Sequence, residues 1–261
     1  MKAMKYYSDS SKDVWDNFYK IYYKNTEDVW DFWAYVDFDD LKGKEEDQYA
    51  SVAYKGIKGE VHGEVDFNFK SDKNPKAWQK RKYDYYENIL QNDDKMSSGD
   101  KQDAISMLME CRDRMYEPNN LSLLFRTGGL NNLKGGLSQE TRALDRFDVF
   151  IYVLNDYLST VKEKRSYMHL IFSQAWKNSA DNRACLKEYL NQFDNIEEYF
   201  EKVLLIKKTN KSKDFIKRLI ISGTKPINDG KRVIEYLKFA KEYWDLKQEQ
   251  INSVFKRESS K

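Results

Sequence analysis

Glu60-Val61-His62-Gly63-Glu64-Val65-Asp66-Phe67-Asn68-Phe69 is the stretch on which the fold class turns. Val61, Gly63, Val65, Phe67 and Phe69 are apolar or small, and Glu60, His62, Glu64, Asp66 and Asn68 are polar. That period of two is the pattern of a half-buried strand. Ser51–Ile57 alternates more weakly through Val52, Tyr54 and Gly56 and is the natural partner.

Almost everything outward from it has helical spacing. Upstream, Val14, Trp15, Phe18, Ile21 and Tyr22 make one apolar stripe, and Val29, Trp30, Phe32, Trp33 and Val36 make another. Downstream, Asn74-Pro75 opens a helix that runs to about residue 90, with Pro at its first position. A second helix is expected over about 100–116, and Pro118-Asn119-Asn120 ends it. Leu121–Phe125 is a short buried run. A long helix is expected from the N-cap Ser138 to about Lys164, with Leu144, Phe147, Ile151, Leu154 and Leu158 inward. Further helices are expected over 166–176, 182–193, 195–206, 211–221 and 229–256. No linker rich in Gly, Ser or Pro divides the chain, and no repeat of solenoid length recurs. The expectation is therefore an α+β class, a helix-rich single domain over 1–261 with a small antiparallel sheet in the N-terminal half. A subdivision into a mixed part, 1–120, and a helical part, 121–261, is compatible with it.

Composition narrows the function classes. Of 261 residues, 15% are aromatic, including 19 Tyr, which excludes wholesale disorder. Three Pro and 11 Gly exclude a collagen-like chain. The longest apolar run, Val149–Leu154, is far short of the roughly 20 residues that span a membrane. The formal net charge is only +2, so no global field draws the chain to nucleic acid or lipid. The charge is uneven: residues 1–50 carry 7 Lys against 12 Asp or Glu, and residues 206–261 carry 15 Lys or Arg against 7 Asp or Glu. Within the basic end, Lys207, Lys208, Lys211, Lys213, Lys217 and Arg218 form the densest run. It reads as a solvated face or as a contact for a phosphate backbone. Cys111 and Cys185 match no disulfide framework and no zinc motif. The first residues lack an apolar signal core, and a cytoplasmic location follows as the default.

One segment stands apart. Arg126-Thr127-Gly128-Gly129-Leu130-Asn131-Asn132-Leu133-Lys134-Gly135-Gly136 holds four of the chain's glycines within nine residues, ahead of an expected helix start. Free N–H groups on such a turn, at the positive end of a helix dipole, suit phosphate or another anion. It lacks the Gly-Lys-Ser/Thr ending of a Walker loop and the glycine spacing of a dinucleotide fingerprint. The ligand-binding set is thus Arg126, Thr127, Gly128, Gly129, Asn131, Asn132 and Lys134. Asp145, Arg146 and Asp148 stand ready to orient a ligand or, by salt bridges, to brace the loop. A structural loop with two tight turns is the plainer alternative.

The stretch Leu123–Phe150 resembles an uncharacterised family of small bacterial proteins. Those carry a Gly-Ile/Leu-Asn-x-x-Arg/Lys-Gly loop followed by Asp-Arg-Phe-Asp. Gly129–Gly135 and Asp145-Arg146-Phe147-Asp148 fill these two parts. Lys134 stands where Arg is usual, and the helix after Asp148 is more apolar than the family's. The resemblance extends over about 120–255. It implies that loop and motif belong together in the fold, and its scattered accessory character suggests host–phage conflict, that is, phage defence.

Other chemistry is thinner. Glu60, His62, Glu64 and Asp66 share one strand face, with Lys70 nearby, an inventory that a Mg²⁺-dependent nuclease could use; a solvated strand face explains them as well. His169 lies in an apolar helical stretch and reads as a packing residue. No metal ligand set is assigned, no cofactor is identified, and catalytic residues are unknown. Whether the chain is an enzyme is left open. The sequence supports first an intracellular module that binds a phosphate-bearing ligand, nucleotide or nucleic acid. A metal-dependent enzyme on nucleic acid or nucleotide comes second, and a protein-interaction factor with a protein partner, of phage or defence origin, third. The oligomeric state is not legible, and no membrane partner is expected.

Overall fold

The computed structural model describes residues 51–54, 57–63, 65, 81–114, 117–127, 131–132, 146–165 and 187–258. Its helices are α1 (Arg81–Asn92), α2 (Ser98–Arg114), α3 (Phe147–Ser159), α4 (Ile196–Lys202), α5 (Asn210–Gly223) and α6 (Gly230–Glu258). Short 3-10 turns lie at Pro118–Asn120 and Lys162–Lys164.

Local chemistry sets the ends. Ser97 Oγ accepts the Asp100 N–H at 3.1 Å and opens α2. Asn195 accepts from Glu198 N–H and opens α4. Thr209 and Ser212 form a reciprocal capping box on α5. The start of α6 is tied from outside the helix: Gly230 N–H donates to Asp93 at 2.7 Å. That bond, with a second from Lys95 N–H, holds the Asp93 carboxyl below its ordinary range. After α4 the chain turns through Leu205, which has a φ of 60° and is buried. A non-glycine residue bears that left-handed geometry only where packing fixes it.

Inward faces follow the 3.6-residue period. Tyr83, Tyr86 and Leu90 of α1 are buried, as are Ala104, Leu108 and Cys111 of α2. Phe150, Ile151, Leu154 and Leu158 of α3 meet Phe215 and Leu219 of α5 in one hydrophobic cluster. Helix α6 runs through it with Val233, Leu237, Tyr243 and Trp244 fully buried. The aromatics interlock: Phe147 lies 4.8 Å from Tyr243 between ring centres, and Phe193 meets Tyr199 edge-on at 5.3 Å. Such pairs contribute about 0.5–1.5 kcal/mol each beyond area burial.

The α+β expectation, with a small antiparallel sheet in the N-terminal half, is corrected here. The interpretable body of the protein is 76% helical and no strand belongs to it; helix-rich is the class that holds. Among the described residues, extended backbone pairs antiparallel in the order β1 (Ser51–Tyr54), β2 (Ile57–Gly63), β3 (Leu121–Thr127) and β4 (Asn131–Asn132). Val65 shows why the alternation misleads. It is buried, yet its backbone N–H and C=O bond the Asn120 carboxamide at 2.9 and 2.8 Å. A side chain thus takes the place of a neighbouring strand.

Helix limits also move. The helix expected from Ser138 begins at Phe147, because Arg146 has extended backbone, and ends at Ser159. The 195–206 helix stops at Lys202. The expected elements before residue 51 and at 166–176 lie outside the described residues.

Candidate functional site

Arg146 and Asp148 flank the first residue of α3, and the fold turns both inward. Their side chains are 7% and 0% exposed. The guanidinium makes a two-pronged contact with the carboxylate, Nε to Oδ1 at 2.9 Å and Nη2 to Oδ2. Arg146 also donates to the carbonyl oxygens of Lys225 at 2.8 Å and Ser222 at 3.3 Å. Those carbonyls end α5, where a cation offsets the negative end of the helix dipole. Ser222 Oγ donates to Asp148 Oδ2 at 2.7 Å. Arg232 of α6 donates to the same Ser222 carbonyl at 3.1 Å. Tyr236 Oη accepts the Phe147 N–H at 3.2 Å.

The electrostatics match this closure. Burial would lower the Arg146 pKa, but the hydrogen bond and charge of Asp148 outweigh it and raise it above its ordinary value. Burial pushes the Tyr236 phenol well up, with Tyr86 and Asp148 adding to it. The knot therefore joins the start of α3, the end of α5 and the first turns of α6. It positions helices, and its charges are turned onto one another and onto backbone. Gly223 completes it: a Cβ there would lie 2.3 Å from the Asp148 carbonyl oxygen, so only glycine lets α5 come this close to α3.

The other sequence-selected residues fall as follows. Arg126 and Thr127 end β3, and Asn131 and Asn132 form β4; Arg126 is in register with Asn132 and Thr127 with Asn131. Gly128, Gly129, Lys134 and Asp145 lie outside the described residues. So do Glu64, Asp66, Lys70, His169 and Cys185, whereas Glu60 and His62 have backbone places in β2. Asp148 is fully buried, whereas Tyr152, one turn further along α3, is exposed. Cys111 is buried, and burial pushes its thiol up to about 12, far from a reactive thiolate at neutral pH.

Among the buried polar residues that the sequence does not single out are Arg165, Asn120 and Lys247. Arg165 donates to the carbonyls of Leu158, Thr160, Leu190, Phe193 and Asp194, tying the end of α3 to the 187–194 segment. Asn120 binds Val65 and also accepts from the Trp244 indole N–H at 2.8 Å. Lys247, fully buried, donates to Ser122 Oγ at 2.6 Å. Only Lys247 left a signal. It falls three residues after Trp244 and four before Ile251, on the apolar stripe of α6.

Among the described residues no group of three His, Cys, Asp or Glu side chains could hold a metal ion. No described helix is long and apolar enough to cross a membrane. No protein-family model, no curated protein and no solved structure matches the chain.

Proposed function

We propose that the protein is a binding module for a phosphate-bearing ligand, nucleotide or nucleic acid, held at the Gly-rich segment that starts at Arg126. The observation that carries this reading is the register of β3 and β4. Backbone pairing sets Arg126 opposite Asn132 and Thr127 opposite Asn131, with Gly128 and Gly129 between them in sequence. One cationic and three hydrogen-bonding residues thus share a backbone register, next in sequence to two glycines. That is the donor-rich, Cβ-poor environment that anions select. Arg146 and Asp148 are not ligands in this reading: their charges are already engaged within the helical body. The setting in host–phage conflict rests on the family resemblance.

The test is thermal unfolding of the protein against nucleotides, cyclic nucleotides, short nucleic acids and divalent ions. A ligand at 100 times its dissociation constant adds about 2.7 kcal/mol of stability. A shift that disappears in Lys134→Ala supports the reading. A folded protein that no member of the panel stabilises refutes it.

A further inference from the structure

We propose that the outer face of α5, with Tyr152 of α3 beside it, is a docking track for single-stranded nucleic acid. The helix is divided lengthwise. Its apolar face, Phe215, Ile216 and Leu219, is buried. On the flank toward α6 every cation is neutralised: Lys211 pairs with Glu249 at 2.9 Å, and Arg218 pairs with Glu242 at 2.6 Å and Asp214 at 2.8 Å. The outer face is different. Lys213 and Lys217, one turn apart, are exposed and form no ion pair with a described residue. Lys207 and Lys208 before the cap and Lys225 after the helix are exposed and unpaired in the same way. Along this face the exposed carboxylate of α5, Asp214, is committed to Arg218. Asp156 is its exposed counterpart on α3. Lys213 and Lys217 are thus exposed point charges one turn apart that no described carboxylate pairs with, with three further exposed lysines at the two ends of the helix. Lysines so placed bind phosphates through charge rather than through a fixed fork.

Two observations choose the occupant. A membrane-surface helix must present an apolar face outward, and the outer face of α5 presents only Ile221, 56% exposed. Tyr152 supplies what a plain polyanion contact lacks. It is a 39% exposed aromatic whose Cβ lies 2.7 Å from where a Gly223 Cβ would be, so it stands at the seam between α3 and α5. Unpaired bases stack on exposed aromatics beside a cationic track, and a duplex does not offer them. The proposal does not depend on the Gly-rich segment.

The experiment is fluorescence anisotropy with a labelled oligothymidylate of about 20 nucleotides, titrated with the whole protein from about 50 to about 200 mM NaCl. The expected result is salt-dependent binding. In Lys213→Ala/Lys217→Ala the slope of log K against log salt falls by about 1.4, roughly 0.7 for each lost phosphate contact. Tyr152→Ala weakens binding about tenfold, and Tyr152→Phe restores it. Unchanged unfolding temperatures show that these exposed substitutions leave the fold intact. Absence of binding at the lowest salt overturns the proposal, as does an unchanged slope in the double variant. Binding only to phosphatidylserine vesicles overturns it too. Loss of binding in Lys134→Ala, with the α5 variants like wild type, overturns it while sparing the reading of the Gly-rich segment.

Discussion

Gly223→Ala adds one methyl group where α5 crosses α3. Its Cβ would meet the Asp148 carbonyl oxygen at 2.3 Å, the Asp148 carbonyl carbon at 2.9 Å and Tyr152 Cβ at 2.7 Å. Two of these atoms are backbone and the third is a Cβ, so no rotamer change makes room. The helices must part by about an ångström, at an overpacking cost of about 1–3 kcal/mol. Parting them stretches the Ser222–Asp148 and Arg146–Ser222 hydrogen bonds, now 2.7 and 3.3 Å. Bonds to charged groups contribute about 1.5–3 kcal/mol each. Against this stands the helix propensity of Ala over Gly, about 1 kcal/mol in a helix interior and less at its last residue. The cost wins, and the expected net destabilisation is about 2–4 kcal/mol. At about 2–4 °C per kcal/mol for a chain of this size, the unfolding temperature falls by about 5–15 °C. Thermal scans and urea titrations measure it. An unfolding temperature equal to or above that of wild type would refute the close crossing and leave helix propensity as the only effect.

Other outcomes follow from the same contacts. Asp148→Ala leaves the Arg146 guanidinium buried with carbonyl partners only, and costs about 3–5 kcal/mol. Arg146→Met added to Asp148→Ala recovers most of that loss in a double-mutant cycle, whereas strictly additive losses would deny the pairing. Cys111 gives a pH dependence. Its folded pKa, about 12, exceeds the ordinary value of 9.0, so above pH 9 the unfolded thiol ionises first and stability falls as pH rises. Cys111→Ala lacks this loss, and its stability gap from wild type narrows as pH climbs from 9 toward 12. Parallel pH curves for the two proteins would count against the burial.

Much of the helical body was legible. Residues 210–223 and 230–258 carry unbroken 3.6-residue stripes, and they form α5 and α6 close to the expected limits. Periodicity works there because one face of each helix meets a continuous core. It failed at Val65, where alternation looks the same whether the backbone meets another strand or the Asn120 carboxamide. It also failed to end α3. Arg165, which gathers five carbonyls beyond that helix, is an ordinary arginine in the sequence. The candidate site was legible in part. The gathering of glycine, Asn and Arg at 126–136 is visible in composition alone. The inward turn of Arg146 and Asp148 is not, because their partners lie more than 70 residues away in sequence.

The sequence by itself determined the main helical stretches and most of the residues that point inward. These follow from neighbours within a turn or two, through periodicity and capping chemistry. Tertiary structure alone decided what the charged residues do. It buried Arg146, Asp148, Arg165 and Lys247 against distant backbone and hydroxyl groups, and it neutralised Lys211 and Arg218 with carboxylates of α6. It left Lys213 and Lys217 facing solvent. A charge acquires its role from the dielectric and the partners around it. Neither exists until helices far apart in the chain have packed together.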